Sequence, residues 1–467
     1  MKKFLVIAIT LLCSLPICHP VLTKAQPANL IFEAQPLKGS ITYSSAQTVV
    51  LPILKRDSLL NGLQIVLMET QGAGKITARL RINSGALFDL AGKGGLADLT
   101  AGMLLAGGGG YNAKNIQDTV EQSGMTVNIM TNWDSTDIMV AGPPDSLPII
   151  FDLLGRIIVT PAFDQKEFDA LKSRRIAEIK SQATDASDLV FAKAMETVYG
   201  SHPYGRPMRG TVESVEKIAQ VDLSYFHKRF YLANNSTLVI AGEATLDQIT
   251  PLARARLGAW KKGEKIPATF RPSDPPTARR VVIVDRPDAS TSTAAIAQTG
   301  VSRRASDYFA ALIMRDVLNK QVSGQGSAQV GMDARLLQGP MWITLQSPKG
   351  EIDKQINSLL DLMSQFKASQ PAAEVVERAK TDIISEFAKR MSTPEGAAGV
   401  ILDIELYGLG RDYLVTFADR VNAVTLADIQ KAAQTYLKPQ TAAVIVAGPA
   451  KELDGTLKNL GTVTVMP

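Results

Sequence analysis

The chain has 467 residues, of which 45% are hydrophobic and 20% are charged. This composition excludes a disordered or fibrous protein and supplies enough apolar residues for the cores of two or more domains. The formal net charge of +5 is small for this length and gives no reason to expect a nucleic-acid partner.

The N-terminal 25 residues have the three parts of a secretory signal peptide. The basic pair Lys2-Lys3 precedes an apolar run from Phe4 to Cys18, and the small residue Ala25 provides a candidate cleavage site. We therefore expect export, to a periplasm, and interpret the aperiodic residues 26–55 as a lead-in segment. No later stretch has the unbroken apolar length of a membrane span.

Cysteine and histidine are scarce outside this signal. Cys13 and Cys18 both lie within it, so we expect the mature chain to have no disulfide. His19 lies at its end, which leaves only His202 and His227. No pair of histidines has the spacing of zinc ligands, so the sequence argues against a zinc enzyme, and we expect no cofactor.

The first predicted elements lie in a domain that spans residues 56–260. The turn Asn61-Gly62 precedes an apolar strand over 63–68. Residues 76–82 then alternate between apolar and polar side chains, a period that predicts a strand with one buried face. A turn ending in Gly94-Gly95 leads into a predicted helix.

That helix resembles the active-site helix of the pitrilysin/insulinase family of zinc peptidases, which includes the mitochondrial processing peptidase. The family motif H-x-x-E-H places two zinc-binding histidines and a water-activating glutamate on one helix. Here Asp98, Ala101 and Gly102 stand at the first histidine, the glutamate and the second histidine. The resemblance therefore implies a member without catalysis or bound zinc. The frame of the motif is kept in Gly95, Leu96, Ala97, Met103 and Leu104.

A second helix carries the position of the family's third zinc ligand, a glutamate. Residues 161–180 predict a long charged helix, and the family's spacing from Gly102 leads to Glu178. A retained glutamate indicates shared ancestry, although glutamate on an exposed helix face is also common. Further on, His202 lies in a segment that resembles the family's G-x-H-P-Y-G turn, and we expect it to be a turn residue and not a ligand.

Residues 124–131 resemble the family strand that lies beside the zinc helix and holds extended peptide by main-chain pairing. The resemblance implies Asn128 and Thr131 as substrate-binding candidates. Such pairing depends on backbone more than on side chains, so it could survive the loss of catalysis. The alternative is an ordinary sheet strand with a buried asparagine.

In the second half, the family has a segment R-G-L-A-Y and an arginine and a tyrosine that bind the peptide carbonyl. Aligning Gln338–Trp342 on that segment places Gln329 at the arginine and Trp342 at the tyrosine. Both would then be altered substrate-binding positions, and Arg335 is the nearby residue that could restore the positive charge. The alternative for Trp342 is a core or surface tryptophan.

The plan of the chain repeats after a polar, proline-containing stretch at 261–280, which we interpret as a linker. The segment Pro371–Glu386, for example, parallels Pro161–Glu178. We expect an α+β protein of two related halves, each with helices packed on a mostly antiparallel sheet. The two peptidase-like domains span residues 56–260 and 281–467.

The resemblance implies a non-catalytic partner in an exported, two-subunit metallopeptidase. The partner would be a related catalytic chain with an intact zinc motif, and the pair would close a chamber around a peptide. One alternative is a self-sufficient metallopeptidase with Asp98 and Glu178 as ligands, although two carboxylates without histidine make a poor zinc site. The other is a purely structural assembly subunit without peptide binding.

Overall fold

The computed structural model describes residues 53–466, except 71, 73, 266–269, 271–275 and 325–326, and the backbone of 40–43 and 47–50. The predicted signal peptide, with both cysteines and His19, lies outside the described residues, as do most of the lead-in segment and much of the linker. None of the helices in the described part of the chain is long and apolar enough to cross a membrane.

The first half alternates short strands with helices. In chain order its elements are β1 (Ser40–Tyr43), β2 (Gln47–Val50), β3 (Ile53–Ser58), β4 (Gln64–Glu69), β5 (Ile76–Ile82), α1 (Leu96–Gly102), β6 (Gly107–Gly108), β7 (Tyr111–Asn112), α2 (Ala113–Gln122), β8 (Thr126–Thr131), β9 (Thr136–Gly142), α3 (Leu147–Leu154), α4 (Gln165–Gln182), α5 (Ala186–Tyr199), α6 (Val212–Glu216), α7 (Gln220–Phe230), β10 (Ser236–Gly242) and α8 (Leu246–Leu257).

The second half repeats this order with fewer strands. Its elements are β11 (Arg280–Asp285), β12 (Thr291–Thr299), α9 (Tyr308–Val322), β13 (Gln329–Met332), β14 (Pro340–Pro348), α10 (Ile352–Ala368), α11 (Ala373–Met391), α12 (Pro394–Tyr407), α13 (Tyr413–Asn422), α14 (Leu426–Tyr436), β15 (Ala443–Gly448), α15 (Ala450–Leu457) and β16 (Thr462–Met466).

Each half is built on a six-stranded sheet. The first has the order β3-β4-β10-β5-β9-β8, and only the β4–β10 pair is parallel. The second has the order β13-β14-β12-β15-β11-β16, with β11 parallel to both of its neighbours. The predicted fold class, α+β with two related halves and mostly antiparallel sheets, is confirmed.

Several helices begin at side chains that satisfy their first free N–H groups. Thr211, Thr245 and Thr425 precede α6, α8 and α14 and form reciprocal hydrogen bonds with the residue three positions later. Such capping boxes set where a helix starts from sequence alone. At the other end, Gly408 ends α12 with a φ of 59°, in the left-handed region that glycine adopts readily.

The strand at 76–82 is buried on both faces, so the prediction of a single buried face was wrong. Its apolar residues face the helices of its own half, whereas Arg81 lies on the opposite face and is only 5% exposed. The Arg81 guanidinium binds Asp137 of β9 at 2.6 Å and Asp403 of α12 at 2.7 Å. A helix of the second half therefore covers the polar face of the first sheet.

The two halves exchange one helix each. Helix α12 packs on β5 and β10 of the first sheet, and α5 packs on β12 and β15 of the second. The apolar cores are shared in the same way. Val66 and Val239 of the first sheet lie in the core of the second half, and Val282 and Ala295 of the second sheet lie in that of the first. The described residues from 40 onward therefore form one compact unit.

Candidate functional site

Helix α1 starts in a tight environment that requires glycine. Gly95 has a φ of +91°, and a Cβ there would lie 2.5 Å from the carbonyl oxygen of Arg209. The buried carboxylate of Asp89 accepts hydrogen bonds from the backbone N–H groups of Gly95 and Ala97, both at 2.7 Å. Burial raises the pKa of Asp89 to about 7, against the opposing effect of these two bonds. Because Gly95 has no side chain, the backbone of Arg209 can pack against the start of α1.

The three altered motif positions lie on this helix. Ala101 is buried and Gly102 is exposed, and neither has a side-chain group that could bind a metal ion or activate water. A Cβ at Gly102 would lie 3.1 Å from Cδ2 of Leu171 on α4. Only Asp98 offers a ligand atom, and it faces α4.

A residue that the sequence reasoning did not single out, Arg175, lies between the carboxylates of Asp98 and Glu178. Its Nη2 atom is 2.7 Å from Oδ2 of Asp98, and its Nη1 atom bonds Oε2 of Glu178. The Arg175 side chain is only 13% exposed. The structure thus brings Asp98 and Glu178 together, but around a guanidinium. The helix spacing of Arg175 and Glu178 was a visible signal, whereas the contact with Asp98 was not.

The residues present at this site do not fit a zinc ion. The two carboxylates are already bound by a fixed positive charge, because an arginine side chain does not lose its proton in proteins. Burial raises the pKa of Asp98, although the charges of Arg175 and Arg209 act in the opposite direction. Within the described residues, no group of three or more histidine, cysteine, aspartate or glutamate side chains is placed to hold a metal.

Strand β8, which carries Asn128 and Thr131, forms one edge of the first sheet and contacts α1. Asn128 is exposed, unlike the buried asparagine of the alternative interpretation, and Thr131 is buried. Met130 is also exposed, at 49%. No described strand pairs with the outer edge of β8, so its backbone is open to an added strand.

The two candidates of the second half lie on neighbouring strands of the other sheet. Gln329 is exposed on the edge strand β13 and pairs with Thr344. The Trp342 ring packs edge-on against Phe191 of α5, with 5.1 Å between ring centroids. It also covers Gly331, where a Cβ would lie 2.2 Å from the ring. Trp342 is therefore held by packing between the halves.

Arg335 does not reach out to replace the missing positive charge. It is 3% exposed, its guanidinium stacks 3.7 Å above the ring centroid of Trp133, and its Nε atom lies 2.7 Å from Oδ2 of Asp333. The cation–π contact and the ion pair keep this arginine in the boundary between the halves.

Next to Arg335, Asp134 links the two halves through three hydrogen bonds. It accepts from the Tyr204 hydroxyl at 2.6 Å, from the backbone N–H of Leu336 at 2.8 Å and from the Tyr407 hydroxyl at 3.4 Å. Burial raises the pKa of Asp134. The imidazole Nδ1 of His202 accepts from the backbone N–H of Tyr204 at 3.1 Å, so His202 is the turn residue that the sequence predicts.

Fold and site together define a class of protein: a two-halved, peptidase-like chain with an arginine between the two carboxylates of α1 and α4. Sequence comparison agrees with this class. Residues 64–212 match the profile "Insulinase (Peptidase family M16)", and residues 217–383 match the profile "Peptidase M16 inactive domain". The chain belongs to the insulinase (M16) peptidase family, as a member that lacks the H-x-x-E-H motif.

Relatives include mitochondrial processing peptidase subunits. The probable beta subunit of Schizosaccharomyces pombe is 22% identical over 283 residues, 60% of this chain and 62% of that protein. The beta subunit of Saccharomyces cerevisiae is 20% identical over 431 residues, 85% of this chain and 92% of that protein. The match thus spans less than two thirds of the first subunit and nearly all of the second.

Solved structures share the fold. A peptidase M16 inactive domain from Pseudomonas fluorescens superposes with a TM-score of 0.79 at 20% identity, covering 85% of this chain and 98% of that one. The first half of the periplasmic protease PqqL from Escherichia coli superposes with a TM-score of 0.70 at 14% identity, covering 87% and 95%.

Proposed function

We propose that this chain is a non-catalytic subunit of an exported, two-subunit M16-type metallopeptidase. It binds peptide and closes a chamber together with a related catalytic chain that carries the intact zinc motif. The observation that carries this proposal is that the guanidinium of Arg175 lies between Asp98 and Glu178. Helix α1, which carries Asp98, has no histidine and no catalytic base.

Loss of catalysis follows from the chemistry of the side chains. Peptide hydrolysis by this family's mechanism needs a bound metal and a general base. Ala101 has no proton acceptor, and Arg175 repels a second cation from the two carboxylates. The reading as a self-sufficient metallopeptidase therefore has the least support.

Peptide binding is supported by the open edge of β8. Strand addition uses the main-chain N–H and C=O groups of an edge strand, which need no particular side chains. Strand β8 lies beside α1, so an extended peptide paired with it would pass the altered metal position. The chain would then retain substrate binding after losing chemistry.

Export and partnership have support from outside the fold. The first 25 residues have the pattern of a signal peptide, and the Escherichia coli structural neighbour is named as a periplasmic protease. The yeast relatives are named as subunits of a peptidase. A chain without its own catalytic centre has a direct use in such an assembly.

The first test measures metal and activity in the purified mature chain. We expect no stoichiometric zinc and no peptide cleavage, because the ligands and the base are missing. We also expect a related chain with an intact motif to copurify from native extract. Chelator-sensitive cleavage by the isolated chain, or a native monomer with no such chain attached, would contradict the proposal.

The second test asks whether peptide binds along β8. In antiparallel or parallel strand addition, only alternate N–H groups of the peptide face the edge strand. N-methylation of one alternate set should abolish binding to the reconstituted pair, while methylation of the other set should leave it unchanged. Equal effects of both sets would argue against main-chain pairing.

A purely structural assembly subunit is the second candidate function. It is favoured by the packing of Trp342 on Phe191 and by the burial of Arg335, because one peptide-binding candidate is held between the halves and the nearby arginine does not replace the missing charge. Failure of the reconstituted pair to bind any peptide, together with an intact complex, would support this candidate over the first.

A further inference from the structure

The altered metal position has more positive than negative charge. Three guanidinium groups approach Glu178: Arg175 bonds it directly, Arg174 lies 3.9 Å away through Nε, and Arg209 lies 4.0 Å away through Nη1. The carboxylates that face them are Glu178 and Asp98. Three positive charges against two negative ones leave a net charge of +1 on this cluster.

The excess charge lies on the two outer arginines. The side chains of Arg174 and Arg209 are 69% and 45% exposed, compared with 13% for Arg175. At about 4 Å and with this exposure, solvent screens their attraction to Glu178. Their remaining N–H groups are therefore free to bind another acceptor.

No further carboxylate of the cluster is available to neutralise them. Asp89 lies near Asp98, but both of its oxygens accept backbone N–H groups at the start of α1. The Glu178 oxygen nearest to Arg209 already bonds Arg175. A carboxylate that binds Arg174 or Arg209 must therefore come from outside this cluster.

Arg209 lies against α1, the helix that also contacts the edge strand β8. Its carbonyl oxygen packs against Gly95 at the start of α1, and α1 contacts the edge strand β8. Arg174 belongs to α4, which contacts α1 from another side. Helix α1 therefore contacts both α4, which carries Arg174, and β8, along which the peptide is proposed to lie.

We propose that the altered metal position is an anion site that binds a carboxylate side chain of an acidic peptide lying along β8. This inference rests on the proposed peptide binding and names its substrate class. Arg174 and Arg209 supply the hydrogen-bond donors, in the planar geometry by which arginine recognises carboxylates. Arg175 stays bound to Asp98 and Glu178 and shields the incoming anion from them.

The test compares three N-acetylated, C-amidated decapeptides that differ only in a central Glu, Gln or Lys. Their affinities for the mature chain are measured by fluorescence anisotropy. We expect the Glu peptide to bind about tenfold more tightly than the Gln peptide, as expected for charge-assisted hydrogen bonds at a partly exposed site. The Lys peptide should bind more weakly than either, and high salt should remove these differences.

The double variant Arg174→Gln/Arg209→Gln should lose the preference for Glu and keep the affinity for the Gln peptide. The control Lys166→Gln/Lys354→Gln removes the same charge at exposed positions on α4 and α10 and should keep the preference. All four substituted residues are exposed or partly exposed, so both variants should melt near the wild-type temperature.

Three results would contradict the proposal, each with a different meaning. Equal binding of the three peptides, still abolished by N-methylation of one alternate set, overturns the anion site and leaves the proposed peptide binding standing. Absence of binding by all three peptides overturns both. A preference for Glu that the arginine double variant retains also overturns the assignment to this cluster.

Discussion

At the scale of single residues, Arg175 neutralises the two carboxylates that approach each other between α1 and α4. Asp98 and Glu178 would repel each other if they faced each other without a cation, and Asp98 is buried enough to need a partner. The guanidinium meets both carboxylates from within α4. A structural ion pair therefore joins two positions that, by the resemblance, correspond to zinc ligands of the family.

The first prediction concerns Arg175→Met. It should lower the free energy of unfolding by about 3 kcal/mol, since removing one partner of a buried pair leaves an uncompensated charge. Arg174→Met is the matched control, because the neighbouring side chain is 69% exposed, and it should change stability by less than about 0.5 kcal/mol. Urea titration of both variants provides the comparison, and equal effects would show that the buried pair is unimportant.

The second prediction concerns Gly95→Ala, which places a Cβ at a positive φ and 2.5 Å from the carbonyl oxygen of Arg209. We expect a loss of about 3 kcal/mol from backbone strain and displacement of the Arg209 loop. Gly92 is the control, since it also has a positive φ, +73°, but has no atom within 4 Å of the added Cβ. Gly92→Ala should cost about 1 kcal/mol in thermal or urea unfolding. Similar losses would mean that contact with Arg209 adds nothing.

The third prediction concerns pH and His227. Burial lowers the pKa of His227 to about 4 from an ordinary value of 6.5, and its Nε2 lies 2.9 Å from the carbonyl oxygen of Ile158. As the pH falls, His227 is therefore protonated in the unfolded chain at a higher pH than in the folded chain. The contribution of neutral His227 to the free energy of unfolding is complete above pH 6.5. This contribution is lost as the pH falls toward 4, by about 3 kcal/mol in all.

His227→Gln removes this titration and keeps a possible donor to Ile158. It should be less stable than the wild type at pH 7.5, because the ring contacts with Phe163 and Tyr231 are lost, and the difference should shrink toward pH 4. Other titrating groups are present in both proteins and cancel. A difference in the free energy of unfolding that is constant with pH would contradict the prediction.

At the scale of elements, α1 and α4 bring together two positions that the resemblance assigns to zinc ligands. Asp98 and Glu178 meet across these two helices, and Gly102 lies against Leu171 of α4. What separates this pair of helices from a zinc site is the identity of side chains and the presence of Arg175. The fourth prediction therefore rebuilds the ligands.

The variant Asp98→His/Gly102→His should take up little zinc, because Arg175 still holds Glu178. Adding Arg175→Ala should allow binding by two imidazoles and one carboxylate, a common ligand set of zinc. Ala101 is left unchanged, since it is 3% exposed and a glutamate there would be buried without a partner. Isothermal titration calorimetry measures uptake.

Glu178→Ala, added to the Arg175→Ala variant, is the control for this rebuilt site and should abolish tight binding. Uptake that does not depend on Glu178 would mean that the glutamate does not face the rebuilt histidines. Tight binding with Arg175 still present would mean that the guanidinium is easily displaced.

At the scale of the whole molecule, the exchange of α5 and α12 makes the two halves depend on each other. Each sheet is covered on one face by a helix of the other half, and Asp134 joins Tyr204 to the backbone of Leu336. Neither half can bury its second sheet face alone. We therefore expect the described part of the chain to unfold as one cooperative unit.

The fifth prediction tests this cooperativity with one core truncation in each half. Leu80 lies in the first core and Leu345 in the second, at 0% and 1% exposure. Leu80→Ala and Leu345→Ala should each lower stability by about 3 kcal/mol and shift the same single transition in calorimetry. Two transitions, of which each variant moves only one, would show that the halves unfold independently.

Much of this architecture was readable from local sequence. The apolar strand predicted at 63–68 is observed over Gln64–Glu69, and the charged helix predicted at 161–180 is observed over Gln165–Gln182. These segments form where apolar periodicity and turn residues act over a few positions. The second face of β5 was not readable, because the polar residues Arg79 and Arg81 are indistinguishable in sequence from solvent-facing ones until α12 covers them.

The sequence by itself determined that the zinc motif is lost, because the absence of imidazoles and of a base is a property of the residues at Asp98, Ala101 and Gly102. It also determined the repeated halves, which follow from local patterns. Only the tertiary structure decided what replaced the metal. Arg175 and Asp98 lie far apart in the chain, and their ion pair exists because the packing of α1 on α4 brings the two side chains together. Likewise, the burial of Arg335 and the packing of Trp342 on Phe191 depend on the contact between halves, which no short stretch of sequence encodes.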